Sequence, residues 1–313
     1  MFIAVLFILI LFPEEAQMGA IDGLKAAFET VTVAILPFAV VSSALIYSGF
    51  AKKMGDFCAP LFKRLKLHPY GATALITGLL GGYPTGCKIA CEMYGEGLID
   101  KEECEKILSY TNNGGLIFAL NVCGNAMFQD KRAGVIIFIA STVSALLAGL
   151  IFARGDYSVK TGENKKLPLM AALGKSIASG GSVVLNIVAS FIVFYAVASA
   201  LRLDNVPFLE GIFEMTKGVA YAGKIKNIPL AAFFFSLGSL GVFAQSAAIC
   251  SEYDISLKKY VQGKLLQATG AFLVAYLIVN RPFFGKEIVL FSFLAVVGVI
   301  FSIKAIKKLY AKA

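Results

Sequence analysis

Three stretches of the chain, residues 132–153, 178–201 and 285–303, carry almost no charge over their whole length. At 1.5 Å per residue each is long enough to cross a hydrocarbon core about 30 Å thick. Between such runs there is no polar stretch large enough to fold as a separate soluble domain. Composition agrees. Hydrophobic residues make up 58% of the 313 positions and charged residues 16%, and mean hydropathy is +0.77. Soluble domains sit nearer 45–50% apolar and about a quarter charged. The expected fold is therefore an all-α, polytopic helical bundle in the cell membrane, with the lipid bilayer as its first partner.

The net charge of +9 fits that reading, because Lys and Arg at loops and helix ends reach the interface and meet anionic head groups. No basic stripe is interleaved with aromatics, so no nucleic-acid partner is expected. Loop Lys and Arg divide evenly between the two sides, so orientation is not decided by charge. The basic first loop and the 154–177 loop share a side and favour the cytoplasm. Six cysteines show no paired zinc spacing and read as free thiols. The opening MFIAVLFILILF lacks a basic leader region and a small-residue cleavage site, so it reads as a retained helix of only twelve apolar residues.

Breaks in the apolar pattern organise the rest. Residues 1–27 read as a membrane helix and polar linker, and 28–153 as a first repeat. In that repeat, 51–68 is an amphipathic segment for the interface. The run from Pro69 to Gly97 is interrupted by Gly81-Gly82-Tyr83-Pro84-Thr85-Gly86, which cannot stay helical and predicts a re-entrant hairpin over about 70–96. Asp100 with Glu103 three residues on is a helix start, and that helix is interrupted around Asn112-Asn113-Gly114-Gly115. After a connecting loop at 154–177, the segment 178–303 reads as a second repeat. It has a mixed segment at 205–226, a hairpin at about 229–251 broken by Gly238-Ser239-Leu240-Gly241, an interrupted helix at 257–280 and a final helix, before a basic tail at 304–313. A shift of 157 residues aligns the two sets of breaks. Three crossings per half would invert the second repeat, the arrangement in which transporters place their site between broken helices. The alternative is that the glycines only kink closely packed helices.

Lys88 stands just after the first turn, ionisable in apolar sequence, where it could attract an anion; alternatively it pairs with Glu92 one turn on or snorkels to water. Gly82, Tyr83, Pro84, Thr85 and Gly86 form the turn, with Tyr83 and Thr85 able to stack on or hydrogen-bond a ring-bearing solute. Asn112, Asn113, Asn121, Gln245, Ser246, Gln267 and Thr269 supply neutral donors and acceptors, which serve equally to join membrane helices. Cys87 and Cys91, four apart, are weak candidates for a transition metal. His68, alone before Pro69, reads as a solvated loop residue. With no second histidine and no nucleophile grouping, neither an enzyme nor a cofactor is expected.

The stretch GGYPTGCKIACEMYGEGLIDKEECEKILSYTNNGG resembles the first signature of the nucleoside-recognition, or Gate, family, and within it the YlbJ-type sporulation integral membrane proteins. SLGSLGVFAQSAAI at 236–249 is similar to the counterpart in the second half, with Phe243 where that pattern has a histidine before the glutamine. The layout also resembles concentrative nucleoside transporters and the membrane part of bacterial ferrous iron transporters. The resemblance implies a transporter-like protein moving a small polar or anionic solute, nucleoside-like or a small carboxylate, by alternating access, with a connection to sporulation. Two other readings stay open: a non-transporting scaffold for the spore envelope, and a metal carrier using Cys87 and Cys91. Small-residue helix faces also suit a homodimer.

Overall fold

The computed structural model describes residues 2–155, 157 and 167–280, and among them every regular element is a helix. The last apolar run (285–303), the basic tail and most of the connecting loop lie outside the described residues. Among the described residues, four stretches are long and apolar enough to cross a membrane: Lys131–Phe152, Leu169–Ala200, Ile228–Glu252 and Lys258–Asn280.

The chain opens with α1 (Phe2–Leu11) and α2 (Pro13–Ala26). The stretch expected as a polar linker is thus a helix. Pro13 at its first position and Glu14 and Glu15 in its first turn favour that start, and Lys25 suits its end. Gly19 and Gly23, four apart, then let α2 lie directly on α9 (Leu169–Ala200). A Cβ on either glycine would come within 2.6 Å of the α9 backbone at Tyr195 or Phe191. A π-helical turn, Ala27–Thr32, leads into α3 (Val33–Tyr47), which also packs on α9.

Next comes α4 (Phe50–Arg64), amphipathic, with Phe62 buried and Phe57 and Leu61 exposed. The linker after it corrects the reading of His68. The ring is 1% exposed; its Nδ1 accepts from the Tyr70 N–H at 3.1 Å and its Nε2 lies 3.5 Å from Glu103. The Tyr70 and Tyr157 rings pack against it, with centroids 5.5 and 5.0 Å away.

α5 (Gly71–Gly81) and α6 (Thr85–Gly95) pack on each other and share α7 and α3 as neighbours. The chain reverses at Gly82, whose φ of +79° is glycine territory. α7 (Lys101–Thr111) starts with a full capping box: the Glu103 N–H donates to Asp100 Oδ1 and the Asp100 N–H to Glu103 Oε2, both at 2.8 Å. It stops at Asn112, which is extended, and the chain resumes as a π-helical segment, Phe118–Phe128, before α8 (Lys131–Phe152).

The second half departs from the expected order. Residues 205–226, expected as a single interfacial segment, form a close pair, α10 (Pro207–Phe213) and α11 (Met215–Lys224), joined by Glu214 alone. A Cβ on Gly211 would lie 2.6 Å from Gly218 Cα, so the pair touches backbone to backbone. Residues 229–251, expected as the second hairpin, contain α12 (Ile228–Leu237) and α13 (Leu240–Glu252), broken at Gly238-Ser239. Their partners differ: α12 packs on α11, α8 and α14, whereas α13 packs on α9, α6 and α10. Residues 257–280 are one unbroken helix, α14 (Lys258–Asn280). One glycine in a helix costs only about 1 kcal/mol. Gly263 and Gly270 offset that by seating α14 against Ser109 and Ser144.

A close helix pair, an interrupted helix and a long helix therefore occur twice, as α5–α6, α7 with its π-helical continuation, α8, and as α10–α11, α12–α13, α14. α7 and α12 begin 127 residues apart (Lys101, Ile228), as do α8 and α14 (Lys131, Lys258). Packing matches at the same register, with α7 on α6, α8 and α14, and α12 on α11, α14 and α8. A shift of 157 also aligns helix starts, but it sets the pair α5–α6 on α12–α13, whose arms have separate neighbours.

Candidate functional site

Two helix-pair turns and two helix breaks meet at one cavity of about 50 Å³. The α5–α6 turn brings Leu80, Gly81, Gly82 and Tyr83. The break after α7 brings Gly114, Gly115, Ile117 and Phe118. The α10–α11 turn brings Glu214, Met215 and Thr216. α13 adds Val242 and Gln245 just beyond its own break, and α9 closes the wall with Ile187 and Phe191. Glycine is needed where the two turns of backbone cross, since a Cβ on Gly82 would sit 3.1 Å from the Gly115 nitrogen.

The wall is mostly apolar; the Tyr83 and Thr216 hydroxyls in it already have partners, and two further polar side chains stand beside them. Glu214 is buried and accepts from the Thr216 N–H at 3.0 Å, capping α11. Gln245 is 2% exposed and forms no side-chain hydrogen bond within the described residues. Its amide, with two donors and one acceptor, opens on the cavity, where a bound polar group can match it. The pocket therefore presents one carboxyl and one open amide against aromatic rings, a set suited to a polar heterocycle.

Behind Tyr83 lies a second polar group that sequence reasoning missed. Lys264 of α14 is 1% exposed, and its Nζ donates to Tyr83 Oη (2.6 Å), Gln267 Oε1 (2.6 Å) and the Asn112 carbonyl (2.9 Å). Gln267 passes the network on, donating to Asn113 Oδ1 at 2.7 Å and to Ser141. Tyr83 donates to the Phe235 and Ser236 carbonyls at the end of α12, and Asn112 donates to Ser246 Oγ (2.9 Å) and Tyr260 Oη (3.2 Å). The network ties the α5–α6 turn and the α7 break to α12, α13, α14 and α8. One signal was available: Lys264 is an ionisable residue three positions from Gln267, at the start of the apolar part of its helix, close to the criterion that singled out Lys88.

Gly82, Tyr83 and Gln245 thus line the cavity, while Asn112, Asn113, Ser246 and Gln267 stand behind it as joints. Pro84 caps the start of α6, and Thr85 and Gly86 are buried there; a Cβ on Gly86 would fall 1.9 Å from the Thr111 carbonyl oxygen. Asn121 and Thr269 do not join the site. Both are exposed, Thr269 donating to the Leu265 carbonyl, because on their helices they face away from the inward Cys123 and Gln267. Lys88 is also elsewhere. Its Nζ lies 3.4 Å from Glu92 Oε1 and 3.3 Å from the Ser179 carbonyl, and Glu92 accepts in addition from Tyr47 and Ser179 hydroxyls. The ion-pair alternative is what the geometry holds, since residues four apart share a helix face. Cys87 and Cys91 are buried free thiols of α6, away from the cavity wall.

Residues 28–157 match the family described as nucleoside recognition, the Gate family. That match contains the α5–α6 turn and the α7 break; the other half of the cavity wall lies beyond it. The chain is 24% identical to the sporulation integral membrane protein YlbJ of Bacillus subtilis (strain 168), over 85% of this chain and 78% of that protein. No solved structure matches. The chain is a multi-pass membrane protein whose residues 28–157 match the Gate family and which resembles the sporulation integral membrane protein YlbJ over most of its length.

Proposed function

We propose that this protein is a transporter-like membrane protein that takes a small polar heterocyclic solute, nucleoside-like, at the cavity between the two helix-pair turns. The observation that carries this reading is the convergence on one cavity of two turns and two breaks, with Gln245 unmatched and Glu214 buried beside it. Interrupted helices place backbone ends at membrane depth, which is tolerated where they line a cavity. In this reading α5–α6 and α10–α11 are the re-entrant elements, α7 and α12–α13 the interrupted helices, and the two sets are related by an inverted repeat. The carboxyl of Glu214 in the wall argues against a carboxylate solute, and Lys88, the group that would have attracted an anion, is occupied by Glu92.

The cavity itself constrains the cycle. At roughly 10–15 Å³ per water, about 50 Å³ holds a few waters and no nucleoside. Loading a nucleoside therefore requires the two turns to part. The test is thermal unfolding of detergent-purified protein against nucleosides, bases, small carboxylates and divalent metals, in wild type and Gln245→Ala. A ligand at about 100 times its dissociation constant stabilises by about 2.7 kcal/mol. A nucleoside or base should raise the melting temperature in wild type and not in Gln245→Ala. If nothing in the panel shifts it, the fold serves as a scaffold, a role in keeping with the likeness to a sporulation membrane protein.

A further inference from the structure

Outside the cavity, three thiols converge. Cys87 and Cys91 stand one turn apart on α6, and Cys250 comes from α13, which packs on it. The Cys250 sulfur lies 3.6 Å from that of Cys87 and 3.8 Å from that of Cys91, all three within 4.8 Å of one another and all free and buried. We propose that Cys87, Cys91 and Cys250 form a binding site for a thiophilic d10 cation, Zn²⁺ or Cu⁺. Zinc–thiolate bonds are about 2.3 Å long, which sets neighbouring sulfurs about 3.8 Å apart in a tetrahedral site and about 4.0 Å apart in a trigonal one. Two of the three separations already meet the tetrahedral value, so binding needs little rearrangement. Soft thiolates select such cations over Mg²⁺ or Ca²⁺.

Around the three buried sulfurs stand the ends of their helices and one further thiol. Cys91 lies four residues before the end of α6 and Cys250 two before the end of α13, so the cluster sits beneath the loops into α7 and α14. Lys101 and Asp254, one from each side, are paired at 2.7 Å over that end. Cys104, in the first turn of α7, is adjacent to Cys91. Binding exchanges thiol protons for metal, so occupancy of all three releases up to three protons per cation bound. None of the three cysteines lines the solute cavity, so the two sites stand or fall separately.

The experiment uses full-length reduced protein, stripped with a chelator and exposed under anaerobic conditions to Zn²⁺ or to Cu⁺. Retained metal per chain and protons released are measured in wild type, Cys250→Ser and Cys58→Ser. Expected are one cation retained by wild type and Cys58→Ser, with proton release, and affinity at least about 100-fold weaker in Cys250→Ser. Co²⁺ in place of Zn²⁺ should give a thiolate-to-metal charge-transfer band in wild type. Retention of Zn²⁺ alone supports the site with Cys104 as fourth ligand; retention of Cu⁺ alone supports a three-coordinate one. No retention of either cation, retention without proton release, or undiminished retention in Cys250→Ser overturns the proposal. Should Cys250→Ser fail to fold, the proton count and the cobalt band in wild type decide the question alone.

Discussion

Lys264 donates three hydrogen bonds behind the cavity, and no carboxylate pairs with it among the described residues. Replacing it with Met keeps the volume but leaves Gln267 Oε1 and the Asn112 carbonyl without their donor. Unmatched buried groups cost about 1–3 kcal/mol. Lys264→Met should therefore lower the melting temperature clearly. Lys264→Met combined with Tyr83→Phe should cost less than the sum of the two, because the second change removes a partner the first has already lost. Additive losses in a thermal double-mutant cycle would separate the two residues. His68 makes a second residue-scale prediction. Burial lowers its pKa from 6.5 to about 4, with Asp100 opposing the shift. Between those values the unfolded chain binds a proton that the folded one does not, so stability falls as pH drops from about 6.5 to 4. His68→Asn, which retains an acceptor for the Tyr70 N–H, should flatten that part of the pH–melting curve. The sequence reading passed over Lys264 and took His68 as a solvated loop residue, because what buries each is not local: Tyr83 lies 181 residues from Lys264 and Tyr157 stands against His68. Lys88 shows the converse: the rule that flagged it was sound, but its partner Glu92 was one turn away and local.

Among elements, the signals that act over a few residues were legible. The Asp100–Glu103 box, the glycine turn at 82 and the breaks at 112–115 and 238–239 all stand where their residues put them. What could not be read was which broken stretch folds back on itself. Both α5–α6 and α12–α13 are apolar with a Gly-rich middle, and only the neighbours distinguish a pair from an interrupted span. The small residues that fix those neighbours carry the element-scale prediction. Gly86→Ala would drive a methyl onto the Thr111 carbonyl and Gly263→Ala one onto the Ser109 carbonyl, each at 1.9 Å before relaxation. Both should destabilise by about 1–3 kcal/mol, the usual range for overpacking. Gly181→Ala, in α9 with nothing within 4 Å, should be neutral or slightly stabilising. Equal effects at all three sites, measured as melting temperatures, would mean that helix propensity and not close approach governs these glycines.

For the whole molecule, the question is whether the cavity ever meets water on both sides of the membrane. Leu80 and Ile117 mark its mouth: each lines the wall and each remains more than a third exposed, at 39% and 38%. They belong to the α5–α6 turn and to the α7 break, the two elements that must separate from α10–α11 if loading requires opening. In a transporter the mouth must become aqueous from one face in one state and from the other face in another. In a scaffold it can stay sealed against lipid. Leu80→Cys in a Cys58→Ser background distinguishes them, because the remaining native cysteines are buried. In oriented vesicles, a membrane-impermeant thiol reagent should label Leu80→Cys from each side in turn, and a bound solute should slow labelling from at least one. Reaction only with a lipid-soluble reagent, from neither aqueous face, would place Leu80 permanently in the bilayer and remove alternating access from this fold. The wild-type melting curves with the ligand panel would still report whether the sealed cavity binds anything.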